Sequence, residues 1–209
     1  MILRCVYIDV AAPEFLRLDT RYEAGFLDAA TLRRYAGRPE YDLPESFLHR
    51  ALASNDDCFA IRDGDELAAY GWYSTSANHF TDDLTLRFDR QWVYMYRGFT
   101  TPAYRGQRLH AVGMTMALNA YLARGFRGLV SCVEARNEAS LKSVYRMSYR
   151  SFGTIYGIRL GRLVGLRSTL GFWGQELTYC SPGCRRFGFR LELRRRSGAS
   201  SGASRPLKV

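Results

Sequence analysis

The sequence predicts an α/β (α+β) fold, with one central sheet carrying helices on both faces. Three observations support this. Short apolar, β-branched segments alternate with segments of helical period along most of the chain. The 209 residues are 47% hydrophobic and 14% aromatic, enough for one ordinary core and too apolar for a disordered chain. No run of 18 apolar residues occurs and no period of 20–50 residues repeats, which excludes a membrane-spanning helix and a solenoid.

The elements follow in order. Residues 3–10 are apolar and β-branched and predict a strand. Residues 26–35 and 44–53 predict helices, the second with Pro44 in its first turn and acids close behind. Residues 58–62 and 66–74 flank Asp63-Gly64-Asp65, whose Asp-Gly pair predicts a hairpin. A polar stretch, 78–90, leads into an aromatic-rich strand at 92–101. Leu109, Val112, Met116 and Ala120 form one stripe of a helix that ends near Arg124-Gly125. Residues 128–134 form the next strand, and 137–147 a helix with Asn137 as N-cap. Residues 152–163 return as a strand, and 171–179 and 187–193 read as extended.

Charge is uneven along the chain. Thirty Lys or Arg oppose twenty Asp or Glu, for a formal net charge of +10, and all the basic residues except Lys142 and Lys208 are arginines. Residues 185–209 hold eight basic groups and one acid, Glu192. This divides the chain into a main domain, 1–184, and a basic C-terminal strand with a flexible tail, 185–209. Such a tail suits nucleic acid, anionic lipid or an acidic protein, and equally serves as a solubilising end. The Ser197-Gly-Ala-Ser-Ser-Gly-Ala-Ser204 stretch is linker-like. Arg4 and Asp9 interrupt the uncharged run a secretory signal needs, which points to a soluble, cytoplasmic protein.

Five cysteines fit no disulfide framework in a chain of this kind. Cys180-Ser-Pro-Gly-Cys184 has no second pair and no nearby histidine, so it reads as a turn carrying two thiols. His49, His79 and His110 are scattered. No metal site is expected.

The chemistry concentrates in residues 96–113. A strand ends at Thr101, a loop rich in Arg and Gly follows, and a helix begins near Leu109. That arrangement aims backbone N–H groups and the positive end of a helix dipole at one point, which suits a phosphate or pyrophosphate. Arg105 and Arg108 would add charge-assisted hydrogen bonds.

Pro102-Ala-Tyr-Arg-Gly106 resembles the P-x-Y-R-G run that opens the cofactor loop of the GNAT-superfamily acyltransferases. Val133-Glu-Ala-Arg-Asn137-Glu-Ala-Ser140-Leu141 resembles that family's next strand and the Asn starting its following helix. The one-helix, one-strand spacing between the two motifs matches, and the element order extends the resemblance over roughly residues 1–165.

The resemblance implies a mixed, mostly antiparallel central sheet whose fourth and fifth strands splay, with helices on both faces. Acetyl-CoA or another acyl-CoA would lie in the gap, and an acyl group, most often acetyl, would pass directly to a primary amine. The backbone of Phe99, Thr100 and Thr101 would meet the pantetheine and acyl carbonyl. The amides of Arg105, Gly106, Gln107, Arg108, Leu109 and His110 would hold the pyrophosphate, with Asn137 and Ser140 near the CoA arm. This loop departs from the family's R-G-x-G-x-G or R-G-x-G-x-A, with Arg108 in place of the second glycine and His110 in place of the last small residue.

For the chemistry, Tyr145 would donate a proton to the leaving thiolate. It falls one residue after the position where many members carry a Tyr, here Val144. Glu134, at the end of the fifth strand, is the nearest carboxylate that could act as base through water. The aromatics Tyr70, Trp72, Tyr73, Trp92, Tyr94 and Tyr96 should divide between the two sheet faces, one of them lining an acceptor groove that Asp82 and Asp83 could edge. Alternative readings are a longer acyl group delivered on CoA or on an acyl carrier protein, and a non-catalytic or nucleic-acid-associated use of the fold. The β-rich C-terminal segment either completes the sheet or pairs with another subunit in a homodimer.

Overall fold

The computed structural model describes residues 2–80, 84–159 and 176–193. In chain order the elements are β1 (Ile2–Ile8), β2 (Glu23–Leu27), α1 (Ala29–Tyr35), α2 (Glu45–Ala53), β3 (Asp57–Asp63), β4 (Glu66–Ser74), β5 (Asn78–His79), β6 (Leu84–Arg87), β7 (Trp92–Thr100), α3 (Leu109–Ala123), β8 (Gly128–Glu134), α4 (Glu138–Arg146), β9 (Arg150–Arg159), β10 (Glu176–Cys180), α5 (Pro182–Arg186) and β11 (Arg190–Leu193). Single 3-10 turns lie at Pro13–Phe15, Pro39–Tyr41 and Pro102–Tyr104.

The main sheet has the order β10-β9-β1-β8-β7-β4-β3-β2, and a second sheet has the order β11-β6-β5. Neighbours pair antiparallel except β7 and β8. That parallel pair holds only over Trp92–Gly128, Val93–Leu129 and Tyr94–Val130. Beyond Tyr94, β7 continues to Thr100 on its pairing with β4 alone, so the predicted splay of the fourth and fifth expected strands is present.

Two layers cover the main sheet. On one face, α3 and α4 pack Met114, Ala117, Leu118, Tyr121 and Val144 against Val6, Phe59, Val93, Leu129 and Val133 of the strands. On the other, α1 and α2 cover Cys58, Ala60, Tyr70 and Trp72. Beside them the second sheet and α5 cover Leu3, Cys5, Trp92, Tyr94 and Cys132. Phe189, ahead of β11, is fully buried in that cluster, and β11 pairs with β6 across Arg190–Arg87 to Leu193–Leu84.

The local chemistry accounts for the boundaries. Helix α1 starts at Ala29 because the Asp28 side chain accepts the Thr31 amide at 2.7 Å. That bond holds the Asp28 carboxyl below its ordinary range. The β3–β4 hairpin turns through Gly64 and Asp65, with Gly64 at φ +58° as such a turn requires. Helix α3 ends into Gly125 at φ +89°.

Four expectations need correction. The helix expected over 26–35 begins at Ala29, because Glu23–Leu27 forms an edge strand on β3. The polar stretch 78–90 contains β5 and β6, whose apolar Leu84 and Leu86 point into a cluster completed from the far end of the chain. The Cys-x3-Cys turn is the short helix α5 following Ser181. The six strand aromatics do not divide evenly. Register shifts at Trp72/Tyr73 in the β4–β7 pairing leave Tyr70, Trp72, Trp92, Tyr94 and Tyr96 on the α1–α2 and second-sheet side, and only Tyr73 under α3.

Expectations for 160–163, 171–175, Asp82, Asp83 and the basic tail 194–209 fall outside the described residues.

Candidate functional site

The carboxyl ends of β7 and β8, the one parallel pair, face the same way. The loops that follow, 101–108 into α3 and 135–137 into α4, therefore lie at the same end of the sheet. The first loop is fastened from below. Thr101 gives its amide to Ala68 O at 3.0 Å and its hydroxyl to Leu67 O at 2.6 Å. Tyr104 donates to Asp63 Oδ2 at 3.3 Å, and Tyr22 donates to Gln107 Oε1 at 2.5 Å.

Alternation along an antiparallel pair then fixes which backbone groups are open. With Thr101 committed to β4, Phe99 also turns toward β4, while Thr100 and Gly98 turn toward the gap. The Thr100 carbonyl accepts from Arg105 Nε at 3.2 Å, as that direction requires. Of the three residues expected to present backbone here, Thr100 faces the gap. Gly98, which sequence reasoning missed, faces it too.

At the start of α3, Gly106 has φ +82° and Arg108 has φ +60°, ψ +12°. Arg108 thus holds the left-handed conformation natural to glycine, at a cost of about 1–2 kcal/mol. Arg108 is the N-cap and makes no side-chain cap, so the Leu109, His110 and Ala111 amides have no intrahelical acceptor. The Leu109 side chain is buried against Ile61, Ala68, Ala69 and Val112, while Arg105, Gly106, Gln107 and Arg108 are exposed.

His110 turns inward. Its ring lies against Gly98 and edges a crevice with Phe59, Ala69, Gly71, Gly113 and Met114. Burial pushes its pKa down to about 4, so the imidazole is neutral at pH 7.

On the β8 side, Asn137 caps α4 by accepting the Ser140 amide at 3.1 Å, and Ser140 is half-buried. Glu134 is an exposed strand-end residue whose backbone oxygen accepts from the Asn137 amide at 2.9 Å. Val144 is buried among the α3–α4 apolar residues, and Tyr145, about 100° further round α4, is 47% exposed. The structure thus joins 98–110 into one surface and places Asn137 and Ser140 at the start of α4. It records no contact from Glu134 or Tyr145 to that surface.

A second cluster lies on the α2 side of β7, and sequence reasoning missed it. The shift in register places Tyr96 and Arg97 on the same face, where each reaches one end of α2. Tyr96 donates to Asp56 Oδ2 at 2.9 Å, just after the helix. Arg97 pairs with Asp42 Oδ2 at 3.0 Å, just before it, and lies over the Phe47 ring at 4.6 Å. Forty residues separate Tyr96 from Asp56, and no local pattern announces the pair.

Among the described residues no group of three or more His, Cys, Asp or Glu side chains is placed to hold a metal ion. No helix among them is long and apolar enough to cross a membrane.

No curated protein matches the chain. Solved structures that resemble it include a GNAT-family protein of Novosphingobium aromaticivorans, at 18% identity and TM-score 0.48 over 73% of this chain and 60% of that one. Others are a GCN5-related N-acetyltransferase-like protein of Streptococcus suis (12%, TM-score 0.49, 74% and 59%) and an aminoglycoside acetyltransferase from an uncultured soil metagenomic sample (12%, TM-score 0.45, 62% and 88%). The chain therefore spans about three fifths of the length of the first two. The family model described as Acetyltransferase (GNAT) family matches residues 24–149, from β2 through α4, and the chain belongs to that family.

Proposed function

We propose that the protein transfers an acyl group, acetyl by preference, from acyl-CoA to a primary amine by direct attack on the thioester. The observation that carries this reading is the parting of β7 from β8 after Tyr94, directly below an uncapped helix N-terminus. The open edge at Gly98 and Thr100 offers backbone hydrogen bonds to a pantetheine arm, as an added strand would. The Leu109, His110 and Ala111 amides, with Arg105 and Arg108 beside them, offer a cradle for the pyrophosphate.

In this reading Phe99 and Thr101 shape the floor of the donor groove, and Gly106 and Gln107 shape the loop around the phosphates. Asn137 and Ser140 hold the start of α4 at the groove's edge. Tyr145 serves as proton donor to the departing thiolate, and Glu134, exposed at the end of β8, is one candidate for a base acting through water. The acceptor approaches from the α2 side, along the seam between α2 and the second sheet.

Thermal unfolding with acetyl-CoA, CoA and a long-chain acyl-CoA tests the donor. A ligand at 100 times its Kd stabilises by about 2.7 kcal/mol, which raises the midpoint by several degrees in a chain of this size. A rise with acetyl-CoA supports the reading, a rise only with the long-chain donor replaces acetyl by a fatty acyl group, and no rise with any donor overturns it.

A further inference from the structure

Tyr96 packs against both apolar clusters of its face, the one under α2 and the one under the second sheet. It therefore bridges the two clusters, two residues beyond the last β7–β8 pair. Its hydroxyl is held by a carboxylate with unusual surroundings. Asp56 is only 8% exposed, Oδ2 accepts from Tyr96 at 2.9 Å and from Asn78 Nδ2 at 3.4 Å, and among the described residues Oδ1 has no placed hydrogen-bond donor. Ser74 lies beside the carboxylate, where its hydroxyl holds the pKa down, and stands 3.2 Å from Ser76 O.

A buried carboxylate normally has a cation for a partner. Among the described residues none pairs with Asp56. The titratable groups around the pair are Asp57 and Cys58 on β3 and Arg97 beside Tyr96. Burial, reinforced by the Asp57 charge, pushes the Asp56 carboxyl above the usual carboxylate range despite Ser74 and Tyr96. Such a group accepts a proton more readily than a solvated aspartate.

We propose that Tyr96 is a catalytic residue that takes the proton from a primary amine as it attacks the thioester, with Asp56 the positioning residue that receives Tyr96's own proton. This role rests on the acyl-transfer reading above. The N–C bond forms as the amine adds to the carbonyl carbon. One amine proton moves to Tyr96 Oη as the Tyr96 proton moves to Asp56 Oδ2. The C–S bond then breaks, CoA leaves as the thiolate, and the proton held on Asp56 returns to solvent. Charge balances, because one carboxylate is exchanged for one thiolate.

The test compares wild type, Tyr96→Phe, Asp56→Asn and the double variant, using acetyl-CoA with n-butylamine, tyramine and a lysine-containing dipeptide while following thiol release. Each single change should lower kcat by about 100-fold or more, the scale of general-base catalysis. The double change should cost no more than the larger single one, since the two residues act as a unit. The KM for acetyl-CoA should hold, and the acid limb of the wild-type pH profile should vanish in both variants, which a merely structural role would not produce. If Asp56→Asn fails to fold, Tyr96→Phe carries the same test.

Activity within threefold of wild type with the acid limb kept overturns the proposal. So does a wild type that acetyl-CoA stabilises against heat but that acetylates none of the three amines, and in that case the donor site stands. Absence of any stabilisation by acetyl-CoA or CoA removes the acyl-transfer reading and the proton relay with it.

Discussion

The His110 ring occupies the space that a side chain at Gly98 would need. A Cβ built on Gly98 overlaps His110 Cε1, approaches Met95 Cε to 2.9 Å and lies 3.1 Å from His110 Nδ1. The departure from the family loop at position 110 is thus matched by a glycine on the facing strand, and the two residues form one fitted contact beside the gap. Gly98→Ala should destabilise the fold by about 1–3 kcal/mol, the range for overpacking a tight site. His110→Ala in the same chain should recover much of that loss. Chemical denaturation of the two single variants and the double variant measures the coupling, and simple additivity would show that the two residues do not share the space.

Arg108 should give opposite signs for stability and binding. Arg108→Gly removes the left-handed penalty but loosens the unfolded chain, for a net gain of about 0.5 kcal/mol. The same change removes a phosphate partner and should weaken CoA binding by about 1.5–3 kcal/mol. Arg108→Ala should weaken binding equally and bring no gain in stability. Denaturant midpoints and CoA titration calorimetry read the two effects separately.

Acid should weaken the protein through His110. Its folded pKa, about 4, lies below the ordinary value of 6.5, so the unfolded chain binds more protons between these limits. The stability from the neutral ring is therefore fully present above about pH 6.5 and is lost as pH falls toward 4. The ring keeps some solvent contact, which limits the effect to roughly 1–2 kcal/mol. His110→Gln should flatten the stability profile over that interval, and an unchanged slope would place the titration elsewhere.

Tyr145 separates chemistry from packing. At 47% exposure its ring contributes little to the core, so Tyr145→Phe should change the unfolding free energy by less than about 0.5 kcal/mol. If it donates the thiolate proton, kcat should fall by about 100-fold with acetyl-CoA affinity kept. Normal turnover would remove it from the mechanism.

The strand, loop and helix around Gly98–His110 were legible in the sequence because they are local. Strand, loop and helix from Trp92 to Ala123 are contiguous, and the loop's glycines and arginines state their own geometry. The Asn137 cap was legible for the same reason. The edge strand Glu23–Leu27 was not, since a short Ala-Gly-containing segment shows neither period and exists only through its pairing with β3. The second sheet joins Leu84–Arg87 to Arg190–Leu193 across about a hundred residues, beyond the reach of any periodicity argument. The aromatic faces were misassigned because one extra residue in β7 reverses every side chain after it. Tyr96 and Asp56 are a product of that bulge and of the path of α2, and neither is visible until both are folded.

The central claim is that the acyl donor lies along the open edge of β7, and amide hydrogen exchange tests it most directly. With saturating acetyl-CoA, the Gly98, Thr100 and His110 amides should exchange at least tenfold more slowly, while Thr101, already bonded to Ala68 O, should change little. Unchanged exchange at Gly98 and Thr100 in protein that binds acetyl-CoA would place the donor elsewhere and contradict the account.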